Sequence, residues 1–280
     1  MPDSFAVGVD GSAASLIALR WALDAAQAHG AELIAVIAGP HSTGGSPEST
    51  TSLRHRRRVI KDDIVAVRAL IREQAGAAPI TVEVLSGSPT DVLLAISGRV
   101  QLVVIGGHGY SGWRDSFSAS VSGQLVVHTR SALCVVRTIP LPPRRRILVG
   151  HDATSNGAAV RFAMAEAVSR SASVLIATTW HYPIDTRATS PEAAEILEEG
   201  ASAAVAAIAA QARAAHPGVV VDTTVQLGYP VEILAELGEQ ADLTVVGSHG
   251  RSGFASLVVG SVAIGLLRRL DSPVVIVPDG

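Results

Sequence analysis

Val103-Val104-Ile105-Gly106-Gly107-His108-Gly109 is answered further along by Val245-Val246-Gly247-Ser248-His249-Gly250, and this recurrence decides how the chain is organised. Aligning Gly106 with Gly247 gives an offset of 141 positions, which also lays Gly112 on Gly253, Ser120 on Ser261, and Leu133 to Val136 on Val274 to Val277. Upstream, Val7-Gly8-Val9-Asp10 meets Val149-Gly150-His151-Asp152 at an offset of 142. A slip of one residue across half a chain marks a duplicated unit. We expect two domains, 1–139 and 144–280, separated by Pro140-Leu141-Pro142-Pro143, a stiff stretch that continues neither helix nor strand.

Within each half, short apolar runs alternate with stretches of helical period, the pattern of parallel βαβ units. The first half reads as strands at Phe5 to Val9, Leu33 to Ala38, Ile80 to Leu85, Leu102 to Ile105 and Leu133 to Arg137. The second repeats them at Ile147 to Gly150, Val174 to Trp180, Val219 to Leu227, Leu243 to Val246 and Val274 to Val277. Ala13 to His29 and Glu192 to His216 have helical spacing, with Gly30 and Pro217-Gly218 as stops. The fold class is α/β: two tandem, doubly wound, five-stranded parallel-sheet domains. Residues 41–58 follow neither period and read as a loop, ending in a solvated basic run, Arg54-His55-Arg56-Arg57-Arg58.

Composition narrows the function. Of the 280 residues, 48% are apolar and only 4% aromatic, which suits Ala-rich helices over Val/Ile-rich strands better than a β-sandwich. A net charge of −3 supplies no field to attract nucleic acid, so an anionic ligand must be held by local geometry. Cys134, the sole cysteine, lies in an apolar run and reads as a buried thiol. The N-terminus lacks a signal-peptide pattern, and no apolar run approaches the ~20 residues that span a bilayer. A cytoplasmic protein with no membrane partner is expected.

The run Gly247-Ser-His-Gly250-Arg-Ser-Gly253-Phe-Ala-Ser-Leu-Val-Val-Gly260-Ser261 follows the fourth strand of the second half and precedes a helix. A glycine-rich turn there brings backbone N–H groups to the positive end of a helix dipole, where phosphate oxygens bind. Ser261 can donate to phosphate or cap the helix. The alternative is a turn that needs glycine only for its shape. In a doubly wound sheet, ligands bind beyond the carboxyl ends of the strands where their order reverses. If the first and fourth strands flank that point, Asp152 lies beside the loop and suits a ribose hydroxyl or the base better than a phosphate. Asp10 has the same place in the first half, and either aspartate could instead cap the helix that follows it.

These features, a first strand ending in aspartate, the G-x2-G-x9-G-S run and the duplicated halves, resemble the tandem, ATP-binding branch of the universal stress protein family. The resemblance implies an adenine nucleotide alpha hydrolase-like fold in each half, related by pseudo-two-fold symmetry. It implies adenosine contacts from Asp152 and Thr178 and phosphate contacts from Gly247, Gly250, Gly260 and Ser261. Gly150, His249, Arg251, Gly253 and Val262 flank them and complete the candidate set. The corresponding first-half set is Gly8, Asp10, Val36, Gly106, Gly109, Ala119 and Ser120. Ala119 departs from the family's glycine, and Asp115 adds a negative charge to the same loop while the second-half loop carries Arg251 at its start, so the second site is expected to be the tighter.

The function so implied is a stress-response regulator that binds ATP, alone or with Mg²⁺, without turning it over. The resemblance leaves a homodimer open and names no protein partner. Two other classes compete: a slow ATP hydrolase or phosphotransfer enzyme, and a scaffold whose sites have lost nucleotide. Gly107-His-Gly109-Tyr-Ser-Gly112 matches G-x-G-x-x-G but follows the fourth strand rather than the first, and Ser248 replaces its first glycine in the other half. No Walker loop, metal-ligand spacing or nucleophile elbow is present in the sequence.

Overall fold

The computed structural model describes residues 3–39, 61, 64–65, 67–73, 78–107, 121–152, 157–180, 191–248 and 260–278. The chain divides into two compact units, Met1–Ile139 and Pro140–Gly280. The first unit runs β1 (Ser4–Gly8), α1 (Ala13–His29), β2 (Glu32–Gly39), β3 (Ile80–Ser86), α2 (Pro89–Ser97), β4 (Leu102–Gly106), α3 (Val121–His128) and β5 (Ala132–Val136). The second runs β6 (Arg146–Gly150), α4 (Ala158–Arg170), β7 (Ser173–Trp180), α5 (Pro191–Ala215), β8 (Val221–Leu227), α6 (Pro230–Gly238), β9 (Leu243–Gly247), α7 (Ser261–Arg269) and β10 (Val274–Val277). Five strands per half are present, as the apolar runs predict.

Strand order in the first unit is β3-β2-β1-β4-β5 and in the second β8-β7-β6-β9-β10, with parallel neighbours throughout. Strands covered on both faces need apolar side chains on both. Leu102 to Ile105, Ala132 to Val136 and Val274 to Val277 are accordingly buried without interruption. β3 and β8, by contrast, are only partly buried and carry Thr81, Glu83, Asp222 and Thr223. Each fully buried Leu or Ile, such as Leu33, Leu102, Ile147 and Leu243, contributes roughly 1.5–3 kcal/mol of transfer free energy.

Helices cover the two faces of each sheet. Gly106 faces α1 at Ala14, whereas a Cβ on Gly8 would meet Leu93 of α2 and Ile105 of β4. α1 starts at an N-cap, Ser12, whose side chain accepts the Ser15 N–H at 3.2 Å, and stops at Gly30 in the left-handed conformation (φ 62°). The same stop ends α4 with a residue that carries a Cβ, Ser171 (φ 50°).

Most strand boundaries fall within one residue of expectation, and the largest difference is at the start of β8. β8 begins at Val221 rather than Val219, because Val219 closes a turn by donating its N–H to the His216 carbonyl (3.1 Å), which leaves Val220 exposed. The long helix of the second unit is Pro191–Ala215, one residue earlier at each end than the periodicity gives. Among the described residues no helix is long and apolar enough to cross a membrane.

Candidate functional site

Strand order fixes where a ligand can enter. From β1 the chain crosses to β2 on one side, and from β4 it crosses to β5 on the other, so the order reverses between β1 and β4; in the second unit it reverses between β6 and β9. A crevice opens beyond the carboxyl ends of strands at such a point. Gly8, Asp10 and Gly106 lie there in the first unit, and Gly150, Asp152 and Gly247 in the second.

In the second unit the chain leaves β9 through Ser248, whose N–H donates to the Val277 carbonyl at 2.8 Å, and comes back to the same residue. The Ser248 carbonyl accepts the Gly260 N–H, again at 2.8 Å. Gly260 is the N-cap of α7 and provides no side-chain cap. The first-turn N–H groups of α7 are therefore held at the end of β9 with no side-chain cap from Gly260, an arrangement suited to an anion at a helix N-terminus. Ser261 is the first helical residue and is exposed, and Val262 beside it is half-buried. Of the two roles expected for Ser261, helix capping is excluded, since Gly260 occupies the cap.

Asp152 lies half-buried, two residues beyond β6. Its neighbour His151 is bound to β7 through the backbone, donating its N–H to the Ala177 carbonyl at 2.9 Å. The His151 carbonyl accepts from the Thr178 hydroxyl at 3.2 Å. Thr178 is only 4% exposed, so its hydroxyl serves this bond. Burial lowers the His151 imidazole below its ordinary value of 6.5, against the opposing pull of the Asp152 carboxylate.

The first unit is built differently. Asp10 is exposed and accepts the Ser12 N–H at 3.0 Å, while its own N–H donates to the Ser15 hydroxyl at 3.3 Å. Neither aspartate is a helix N-cap, the alternative role open to them from sequence: the caps are Ser12 in α1 and Gly157 in α4. Gly106 has a packing reason to be glycine, since a Cβ there would come within 2.5 Å of the Ala14 carbonyl carbon at the start of α1. At Gly150 a Cβ would meet Leu234 of α6 at 2.9 Å.

Register corrects one correspondence. Gly8 pairs with Val36, but Gly150 pairs with Ala177, so Val36 matches Ala177, and Thr178 matches Ile37. The one-residue slip between the halves thus falls between the first and second strands of each unit. Val36 is buried, and its carbonyl accepts the Val9 N–H at 2.9 Å, as that of Ala177 accepts His151. Gly109, Ala119, Ser120, His249, Gly250, Arg251 and Gly253 lie outside the described residues. Sequence reasoning assigned no role to His151 or to the Ser12 cap; the spacing Ser12-x-x-Ser15 ahead of an apolar helix was the available signal for the latter.

The profile of the Universal stress protein family matches the chain twice, over residues 1–137 and 143–278. The universal stress protein Rv1996 of Mycobacterium tuberculosis is 31% identical, the match covering 96% of this chain and 93% of that protein. Rv2623 of the same organism is 28% identical over 96% of this chain and 94% of its own. Among solved structures, a universal stress protein from Archaeoglobus fulgidus superposes with a TM-score of 0.71 at 17% identity, covering 99% of this chain and 98% of that one, which is a likeness of fold. With the duplicated α/β unit and a family match to each copy, the chain belongs to the universal stress protein family, as a tandem member.

Proposed function

We propose that this chain is a cytoplasmic stress-response regulator that binds an adenine nucleotide, ATP in the first instance, and acts through occupancy rather than turnover. The observation that carries the reading is the bond between the Ser248 carbonyl and the Gly260 N–H, which holds the N-terminus of α7, where Gly260 offers no capping side chain, at the end of β9. That terminus offers backbone donors and a positive dipole end to phosphates. Across the switch point Asp152 offers carboxylate oxygens that accept from hydroxyls, which suits a ribose. Arg251, Gly250 and Gly253 lie in the intervening segment and complete the family spacing in sequence. Among the described residues no group of three or more His, Cys, Asp or Glu is gathered as metal ligands.

Calorimetric titration of the full chain with ATP, followed by chromatography of the nucleotide after incubation with Mg²⁺, tests both parts. Saturable binding with ATP recovered intact is the expected result. Release of ADP at catalytic rates would replace regulation by turnover, and no heat of binding at millimolar ATP would remove the nucleotide altogether. Asp152→Ala is expected to weaken binding roughly tenfold, the worth of a charge-assisted hydrogen bond.

A further inference from the structure

We propose that Thr178 is a positioning residue of the second site, setting the His151-Asp152 peptide so that Asp152 is aimed before any nucleotide arrives. The inference rests on the nucleotide reading of that site and specifies how it is organised.

Both units share one backbone bond at this place: the residue before the aspartate donates its N–H to the neighbouring strand, Val9 to Val36 and His151 to Ala177. A single bond to N–H leaves the following peptide free to tilt about the residue's ψ. The second unit adds a bond to the other end of the same residue, from the Thr178 hydroxyl to the His151 carbonyl. That carbonyl belongs to the peptide that carries the Asp152 nitrogen, so holding its oxygen fixes where the Asp152 Cα and carboxylate stand. Thr178 can hold it firmly because it is buried and β-branched, which restricts its χ1. By register the first unit has Ile37 in this place, equally buried and without a donor. The first unit ties the corresponding Val9-Asp10 peptide from its N–H, to the Ser15 hydroxyl at 3.3 Å, so only the second unit holds this peptide by its carbonyl through a hydroxyl on the neighbouring strand. A site assembled in advance loses less freedom on binding, so the hydroxyl adds affinity without touching ligand.

The test uses the full-length chain as wild type, Thr178→Val, which keeps the shape and removes the donor, and Thr178→Ser, which keeps the donor. ATP affinity is measured by calorimetry, thermal midpoints without nucleotide report folding, and the His151 ring is followed by NMR during a pH titration. Thr178→Val is expected to bind ATP roughly tenfold more weakly at the second site, within the net worth of one hydrogen bond. It is also expected to shift the His151 ring signals and titration, whereas Thr178→Ser restores both towards wild type. Should Thr178→Val fail to fold, Thr178→Ala takes its place. A valine variant with wild-type affinity and an unchanged His151 titration overturns the proposal. If wild type itself binds no ATP, the nucleotide reading falls, and the His151 titration alone still decides whether Thr178 positions the turn.

Discussion

Thr244 is the sharpest single-residue experiment the duplication offers. It sits in β9 with no exposed surface, and its hydroxyl has no hydrogen-bond partner among the described residues, whereas Val103 fills the matching place in β4, also fully buried. A buried hydroxyl without a partner costs about 1–3 kcal/mol, and valine is its closest match in shape. Thr244→Val is expected to stabilise the protein by about 1 kcal/mol, read as a higher urea midpoint at unchanged slope; a lower midpoint would mean that the hydroxyl is satisfied. His151 gives a pH experiment. Burial lowers its imidazole below 6.5 despite Asp152, so the folded chain holds that proton less tightly than the unfolded chain. As pH falls through about 6.5, the unfolded state takes up a proton that the folded state refuses, and stability declines until the folded value is passed. His151→Val, which copies Val9 of the first unit, is expected to flatten unfolding free energy between about pH 7 and about pH 5. A variant profile parallel to wild type would refute the assignment. Gly107 shows how packing can imitate a motif: a Cβ there would come within 2.6 Å of the Arg137 Cγ, so the first glycine of the G-x-G-x-x-G match answers to a neighbouring arginine.

Strands rather than helices carried the legible part of the fold. β4, β5, β9 and β10 are buried on both faces, so their apolar runs stand out against any neighbour. At β8 the signal fades: Val219 and Val220 read as strand by composition, yet both lie ahead of β8, Val219 in the turn closed on His216. The second-unit site was legible as spacing, Gly247 to Ser261. The Thr178 hydroxyl was not, because a strand threonine looks the same whether it faces solvent, core or a carbonyl on the next strand. Strand register was equally hidden, since one inserted residue ahead of β2 shifts Val36 from Thr178 to Ala177 without disturbing either apolar run. Element entry has its own device. The Asp242 carboxylate accepts the Arg144 and Arg145 N–H groups at 2.8 and 2.6 Å, just before β6. Arg145 is held there at φ 53°, a conformation that costs an L-residue about 1–2 kcal/mol. Asp242→Ala releases both amides. The expected loss is about 1 kcal/mol, after allowance for solvent at this exposed turn, with faster amide exchange at Arg146 to Leu148. Unchanged exchange there would show that β6 needs no such clamp.

At the scale of the whole molecule, duplication has produced two units with one strand order and two differently equipped switch points. In the first, Asp10 is exposed and engaged with the turn into α1 through the Ser12 N–H. In the second, Asp152 is half-buried beside His151, with Thr178 bonded to the turn. Ala119 in place of glycine and Asp115 in place of a neutral residue weigh against the first loop in sequence, while Arg251 favours the second. Linkage turns this asymmetry into an observable: a ligand at about 100 times its Kd stabilises the state it binds by about 2.7 kcal/mol. Where the two sites differ tenfold in affinity, an ATP concentration between the two Kd values loads one unit and leaves most of the other empty. Amide exchange at that concentration is expected to slow in the turn after β6, in β7 around Thr178 and in the first turn of α7. The turn after β1 and the end of β2 should keep their nucleotide-free rates until the concentration is raised further. Equal protection of both units at every ATP concentration would show that the duplicated sites have stayed equivalent, and that the residues separating them govern something other than nucleotide affinity.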